Sequence, residues 1–208
     1  MFLETLDSSA RLLFRQLGNE PLVSSFFLAG GSALALHLGH RVSVDLDFFS
    51  LRSYSMPELM NQLQRLGHLT IENQTPDTLV GELNNVKLSF FTYPYPLLDA
   101  MVLSEGIQVA SLLDIALMKI AAIGQRGTKR DFIDVYCLCQ QGFSLKSLLQ
   151  RMPHKFPTIT YPSYHLLRAL AYFDDAEHDE PPRMLKPVEW KTVRNFFADE
   201  VDRLLRVL

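Results

Sequence analysis

Basic residues are in short supply: 20 Lys and Arg stand against 23 Asp and Glu, a formal net charge of −3. No global positive field advertises nucleic acid, so any polyanion has to be met by a local patch. Cysteine is nearly absent. The two present, Cys137 and Cys139, sit two apart; a disulfide across that spacing would be badly strained, and two sulfurs do not complete a zinc site. Reduced thiols on a helix of a cytosolic protein are what remains. The opening MFLETLDSSARLLFRQLGNE has early acids and lacks the apolar run of a signal peptide. No stretch reaches the roughly 18 apolar residues of a membrane span. A soluble, cytoplasmic protein with no membrane partner is expected. Internal repeats and low-complexity tracts are missing as well.

What is there is material for a core: 208 residues, 48% hydrophobic and 21% charged, enough for one large domain or two small ones. Ser8 to Leu17 has the spacing of an amphipathic helix, ended by GNEP. SSFFLAG is a short apolar strand, and Gly30-Gly31-Ser32 opens a helix through about Leu38, closed by Gly39. VSVDLDFFS alternates strictly and predicts a second strand. MPELMNQLQRLG predicts a helix with proline in its first turn. HLTIENQ, TLVGELN and VKLSFFTY predict three more strands, the last two joined at Asn84-Asn85 by a tight hairpin. Tyr93 to Pro96 then ends the sheet, because proline donates no ladder hydrogen bond. Beyond about Gly106 the texture turns helical, through SLLDIALMKIAAIG, KRDFIDVYCLCQQ, SLKSLLQRM, YPSYHLLRALAYF and PVEWKTVRNFFADEVDRLLRVL, with DDAEHDEPPR as a solvated loop. The expected fold class is α+β: a mixed sheet with flanking helices over residues 1–105, followed by a helical domain over 106–208.

Chemistry enters at AGGSALALHLGHRVSVDLDFFS, residues 29–50. Residues two apart on a strand share a face, so Asp45 and Asp47 point the same way. Two carboxylates side by side repel, and burying them is costly unless a cation lies between them. Hard oxygen ligands of this kind suit Mg²⁺ together with phosphate oxygens. Solvated acids on a half-exposed strand would need no cation, but Val44, Leu46, Phe48 and Phe49 speak against such an edge. The upstream Gly30, Gly31 and Ser32 supply the matching half: glycines at a helix start let a phosphate approach free N–H groups, and Ser32 adds a hydroxyl. A double glycine alone also makes plain tight turns. Strand, Gly-Gly-Ser, helix, then Asp-x-Asp on the next strand is far more specific. The combination resembles nucleotidyltransferases of the DNA polymerase β type, in which phosphate is cradled beside a metal-holding carboxylate pair.

The helical half adds cations. Lys119 interrupts a helix that is apolar on nearly every side, so it either snorkels to water or meets an anion, with a triphosphate as the attractive candidate. A lysine serving substrate in this way is removable with little loss of folding stability. Arg126, Lys129 and Arg130 crowd the next helix start, and Asp131 and Asp134 follow on one face. Acids there also cap a helix, so two roles stay open for them.

GGSALALHLGHRVSVDLDFF, DIALMKIAAI and KRDFIDVYCL together resemble three motifs of the AbiEii/AbiGii nucleotidyltransferase toxin family, which includes the MenT-type toxins. The resemblance spans about Phe26 to Leu138. It implies a minimal nucleotidyltransferase core with a helical domain, use of an NTP with Mg²⁺, and the toxin role in a toxin–antitoxin or abortive-infection pair, with a cognate antitoxin as partner. Some members of the family transfer nucleotides to tRNA 3′ ends. Gly31, Ser32, Asp45 and Asp47 match the first motif, Lys119 the family's lysine, and Asp131 and Asp134 its Asp-x-x-Asp. The resemblance thus implies Asp45 and Asp47 as metal ligands, with Lys119 and Asp131 completing the catalytic set. Gly30, Gly31, Ser32, Lys119, Arg126, Lys129, Arg130 and Asp134 are the expected nucleotide contacts.

One departure stands out. Polymerase β-type enzymes usually carry a third carboxylate on a neighbouring strand, where this chain has Ser89 and no acid from Val86 to Tyr93. Glu82 or Asp131 are the candidate substitutes. An RNA or protein acceptor, a small-molecule acceptor, and a catalytically weak nucleotide- or RNA-binding module are the functions this leaves open.

Overall fold

The computed structural model describes residues 1–206; the Val207-Leu208 end of the expected last helix lies outside the described residues. The chain divides into two compact units, Met1–Ser111 and Leu112–Leu208.

In the first unit, α1 (Ser8–Gly18) starts at Asp7, whose carboxylate accepts from the Ala10 amide at 2.7 Å. It buries Ala10, Leu13, Phe14 and Leu17, the stripe of a helix with one face inward. β1 (Phe27–Ala29) runs directly into α2 (Gly30–Leu38), which stops on Gly39 at φ 62°. β2 covers only Leu46–Ser50, less than the alternation promises. The segment ahead of it pairs elsewhere: Ser43 bridges Leu6, and its amide donates to the Thr5 carbonyl at 2.8 Å. α3 (Met56–Leu66), β3 (Leu69–Thr75), β4 (Thr78–Leu83) and β5 (Val86–Thr92) follow. Asn84 and Asn85 sit at φ 52° and 66°, the pair of positive values a two-residue hairpin wants.

The prolines of Tyr93–Pro96 do not end the sheet. β6 (Val102–Ser104) and β7 (Ile107–Val109) form a further hairpin, and β7 lies parallel beside β1. Strands of three residues are too short to show a period. The sheet therefore has seven strands in the order β3-β4-β5-β2-β1-β7-β6. It is mixed, because β2 runs antiparallel to β1 and parallel to β5. Leu28, Leu46, Phe48, Leu79, Leu88 and Phe90 alternate onto one buried face, with the Phe48 and Phe90 rings stacked 5.1 Å apart. Asp47, Phe49, Ser89 and Phe91 lie on the other face.

The second unit consists of α4 (Leu112–Gln125), α5 (Lys129–Gln140), α6 (Leu145–Lys155), α7 (Ser163–Leu170), a short α8 (Asp174–Glu177) within the acidic loop, and α9 (Trp190–Leu205). Phe132 of α5 is its aromatic centre, meeting Phe173, Trp190 and Phe197 at 5.2, 6.0 and 5.1 Å. Asp114 of α4 and Lys155 of α6 form a fully buried ion pair at 2.7 Å. No helix among the described residues is long and apolar enough to cross a membrane.

Candidate active site

The turn from β1 to α2 passes over a carboxylate. Gly30 sits at φ 70°, and a Cβ there would lie 2.9 Å from Asp47 Oδ2, so a side chain is excluded both by conformation and by space. No side chain caps α2 at Ala29, which leaves its first amides unclaimed by any cap and next to that carboxylate. Asp47 is half-buried between Ala29 of β1 and Ser89 of β5, and the Ser89 hydroxyl donates to Asp47 Oδ1 at 2.5 Å.

Asp45 is also half-buried, but it stands just ahead of β2 rather than within it. A hydroxyl locates it: Ser32 donates to the Asp45 main-chain carbonyl. Ser32, expected to face a phosphate, is 1% exposed and ties the first turn of α2 to the loop that carries Asp45.

The register shows which strand residues flank Asp47. Ser89 is the direct neighbour of Asp47 across the β2–β5 pairing. Glu82 shares that sheet face but lies on β4, opposite Lys87 of β5. Two strand spacings, about 9.5 Å, separate it from the line of β2.

Arg41 is the residue that sequence reasoning missed. It is 3% exposed, its Nη1 donates to the Val42 carbonyl at 3.2 Å and to Ser43 Oγ at 3.4 Å, and its guanidinium fills the space a Gly31 side chain would need. A buried guanidinium is thus packed under the glycine turn, four residues before Asp45 in sequence.

In the second unit, Lys119 does not snorkel. Its ammonium is buried, 2.8 Å from Asp131 Oδ1 and 2.7 Å from Asp134 Oδ2. Asp131 is also the third residue of α5, where Thr128 caps the helix and its hydroxyl donates to Asp131 Oδ2 at 2.7 Å. Arg126 Nε lies 3.4 Å from the same oxygen. Burial pushes Asp131 upward, but Lys119, Thr128 and Arg126 outweigh it and hold the carboxyl below its ordinary 3.8. Lys129, another expected nucleotide contact, is 7% exposed and committed elsewhere: its ammonium donates to the Glu177 and Asp179 carbonyls and lies 5.6 Å from the Trp190 ring. Arg126 and Arg130 are exposed.

Among the described residues no group of three or more His, Cys, Asp or Glu side chains is gathered for a metal. The Asp45/Asp47 pair supplies carboxylates only, the donor set of a hard cation that takes its other ligands from water or phosphate.

A family model described as "Nucleotidyl transferase AbiEii toxin, Type IV TA system" matches residues 11–87 and 81–205. An uncharacterized protein of Aquifex aeolicus (strain VF5), aq_aa25, is 36% identical over 189 residues, which covers 88% of this chain and 90% of that one. Two solved structures share the fold. MenT4, a nucleotidyltransferase toxin from Mycobacterium tuberculosis H37Rv, superposes with a TM-score of 0.57 at 15% identity, over 93% of this chain and 84% of its own. A Helicobacter pylori chain classed as a nucleotidyltransferase gives 0.55 at 17% identity, over 97% of each. With a glycine turn laid against one of two neighbouring aspartates, and a family match that runs through both units, this chain belongs to the AbiEii family of nucleotidyltransferase toxins.

Proposed function

We propose that the protein transfers a nucleoside monophosphate from an NTP to an RNA acceptor, with a tRNA end as the first candidate, and that it is the toxin of a toxin–antitoxin pair. The observation that carries the reading is the approach of the Gly30 turn to Asp47, which sets uncapped helix amides beside a carboxylate. Amides at a helix start receive phosphate oxygens. Carboxylates in the same place repel them, so a phosphate seated there calls for a cation beside Asp47.

Asp45 and Asp47 fit Mg²⁺ as carboxylate donors, and the space a Cβ at Gly30 would fill leaves the approach open. When bound, the ion neutralises triphosphate charge and favours departure of pyrophosphate. The chain's own part is positioning. Ser89 orients Asp47, Ser32 fixes the loop of Asp45, and Arg41 supports the glycine turn. In the reaction an acceptor hydroxyl oxygen bonds to the α-phosphorus, the bond to the β-phosphate bridging oxygen breaks, pyrophosphate leaves, and the hydroxyl proton passes to solvent. Phosphoryl-type transfer proceeds through a loose transition state that asks more of placement and charge than of a strong base. Ser89 in place of a carboxylate is therefore compatible with turnover.

Incubation with each α-labelled NTP, total RNA and Mg²⁺ tests this. Label is expected on RNA, lost with Asp47→Asn and with chelator. Label on protein alone, or none at all, sinks the proposal. Ser89 also favours a second reading, a module that binds nucleotide without transferring it; nucleotide retention without label transfer is its signature.

A further inference from the structure

An acidic chain that takes an RNA acceptor needs a local seat for the backbone, and the second unit has a cavity of the right chemistry. It encloses about 420 Å³ between the end of α4 and α7, and its walls include Arg126, His165, Arg168 and Tyr172. Positive groups outnumber the one acid there, Asp175. Arg168 is exposed and makes no ion pair among the described residues. Arg126 is pre-aimed: its side chain is 67% exposed, while its Nε is held by Asp131, a carboxylate only 1% exposed. A buried anion thus orients a guanidinium whose outer edge faces water. His165 Nε2 donates to the Gly124 carbonyl at 3.3 Å, which fixes the ring against the end of α4.

The aromatic component is independent of the charge. Tyr172 is 51% exposed at this cavity, and Tyr164, one turn before Arg168 on α7, is 69% exposed. Large rings left in water beside cations match the surface that single-stranded nucleic acid uses, in which phosphates meet arginine and bases stack on aromatic faces.

We propose that this cavity seats a single-stranded stretch of the acceptor RNA, with Arg126 and Arg168 on its phosphates and Tyr172 under a base. The inference rests on the RNA-transfer reading and adds where the acceptor is gripped. The alternative occupant, a protein segment, would meet the same cations through its acids but has no base to stack.

The test uses the full chain, a short fluorescein-labelled single-stranded RNA for anisotropy, and label transfer to total RNA. Arg168→Gln is expected to weaken RNA binding about fivefold or more and to lower the slope of log affinity against log salt by about 0.7. Tyr172→Leu should weaken binding by a similar factor while Tyr172→Phe leaves it intact, because a bare ring still stacks. In transfer assays both weakening changes should raise KM for RNA and leave KM for NTP unaltered. Wild-type transfer to RNA with unaltered affinity and salt slope in Arg168→Gln and Tyr172→Leu overturns the seat and leaves the transferase reading standing. Equal affinity for heparin and RNA, with Tyr172→Leu silent, also overturns it, while label on a protein acceptor instead of RNA overturns the transferase reading on which it rests.

Discussion

Replacing Lys119 by methionine is expected to destabilise the second unit strongly. The ammonium lies within 2.8 Å of Asp131 and Asp134, whose side chains are 1% and 0% exposed. Removing the cation leaves two carboxylates buried beside each other, and breaking a buried pair from one side costs about 3–5 kcal/mol. For a chain of this size that is a drop in Tm of roughly 6–20 °C, at about 2–4 °C per kcal/mol. The loss depends on pH, with a sign that follows from Asp131. Its folded pKa is below 3.8, so the stabilisation is present above 3.8 and disappears as pH falls through the folded value. Without Lys119 the strongest opposition to the upward push of burial is gone, so the variant keeps less of that stabilisation at neutral pH. The gap between wild type and variant should be small in acid and largest near neutrality. Circular dichroism melts and urea midpoints at acid and neutral pH measure it. Adding Asp131→Asn and Asp134→Asn to Lys119→Met should recover a large part of the loss, since no charge is left unpaired. A neutral-pH Tm equal to wild type, or a gap independent of pH, would refute the reasoning.

Other outcomes follow from the first unit and from the pair in the second. Asp47→Asn should reduce label transfer by about 10²–10³-fold with an unchanged melt, on the scale of losing one group that offsets developing charge. Ser89→Ala removes the hydrogen bond to Asp47 and should lower activity by roughly tenfold, as loss of an orienting partner does, with the rise in the Mg²⁺ requirement as the readout. Gly30→Ala forces a Cβ into φ 70° against Asp47 Oδ2; a stability loss of about 1–3 kcal/mol and near-complete loss of transfer are expected, by melt and label assay. Lys155→Met strands the fully buried Asp114 and should cost about 3–5 kcal/mol, while Lys155→Met with Asp114→Leu recovers most of it.

The longer helices were legible from apolar spacing and end signals, while the four-residue α8 was hidden in what reads as a solvated acidic loop. Gly39 stops α2, and Ala10, Leu13, Phe14 and Leu17 mark the inward stripe of α1, whereas the caps Asp7 and Thr128 emerge only from the structure. β6 and β7 were not legible, since three residues carry no period and their place beside β1 is a long-range fact. The glycine turn and the place of Asp47 on β2 could be read because their spacing is local, whereas Asp45, expected on the same strand, stands just ahead of it. The roles of Ser32 and Arg41 could not, because they depend on which distant backbone each meets: the Asp45 carbonyl for one, Gly31 for the other. Lys119 illustrates the same limit. An apolar helix announces that its lysine needs an anion, but not that the anions belong to the chain itself, twelve residues on at Asp131 and again at Asp134.

The pairing of β2 has a bearing on how the sheet finds its partner strands. Leu46 and Phe48 face inward at 0% exposure, and Asp47 lies between them on the opposite face. A slip of one residue against β5 exchanges the two faces. Asp47 would then enter the layer of Leu28, Leu88 and Phe90 without a counter-charge, while the two apolar side chains turned toward water. A one-residue misalignment is penalised by the same carboxylate that the proposed chemistry uses. Asp47 is therefore a folding checkpoint as well as the proposed ligand, and Asp47→Leu is expected to abolish transfer and at the same time license the wrong alignment of its central strand.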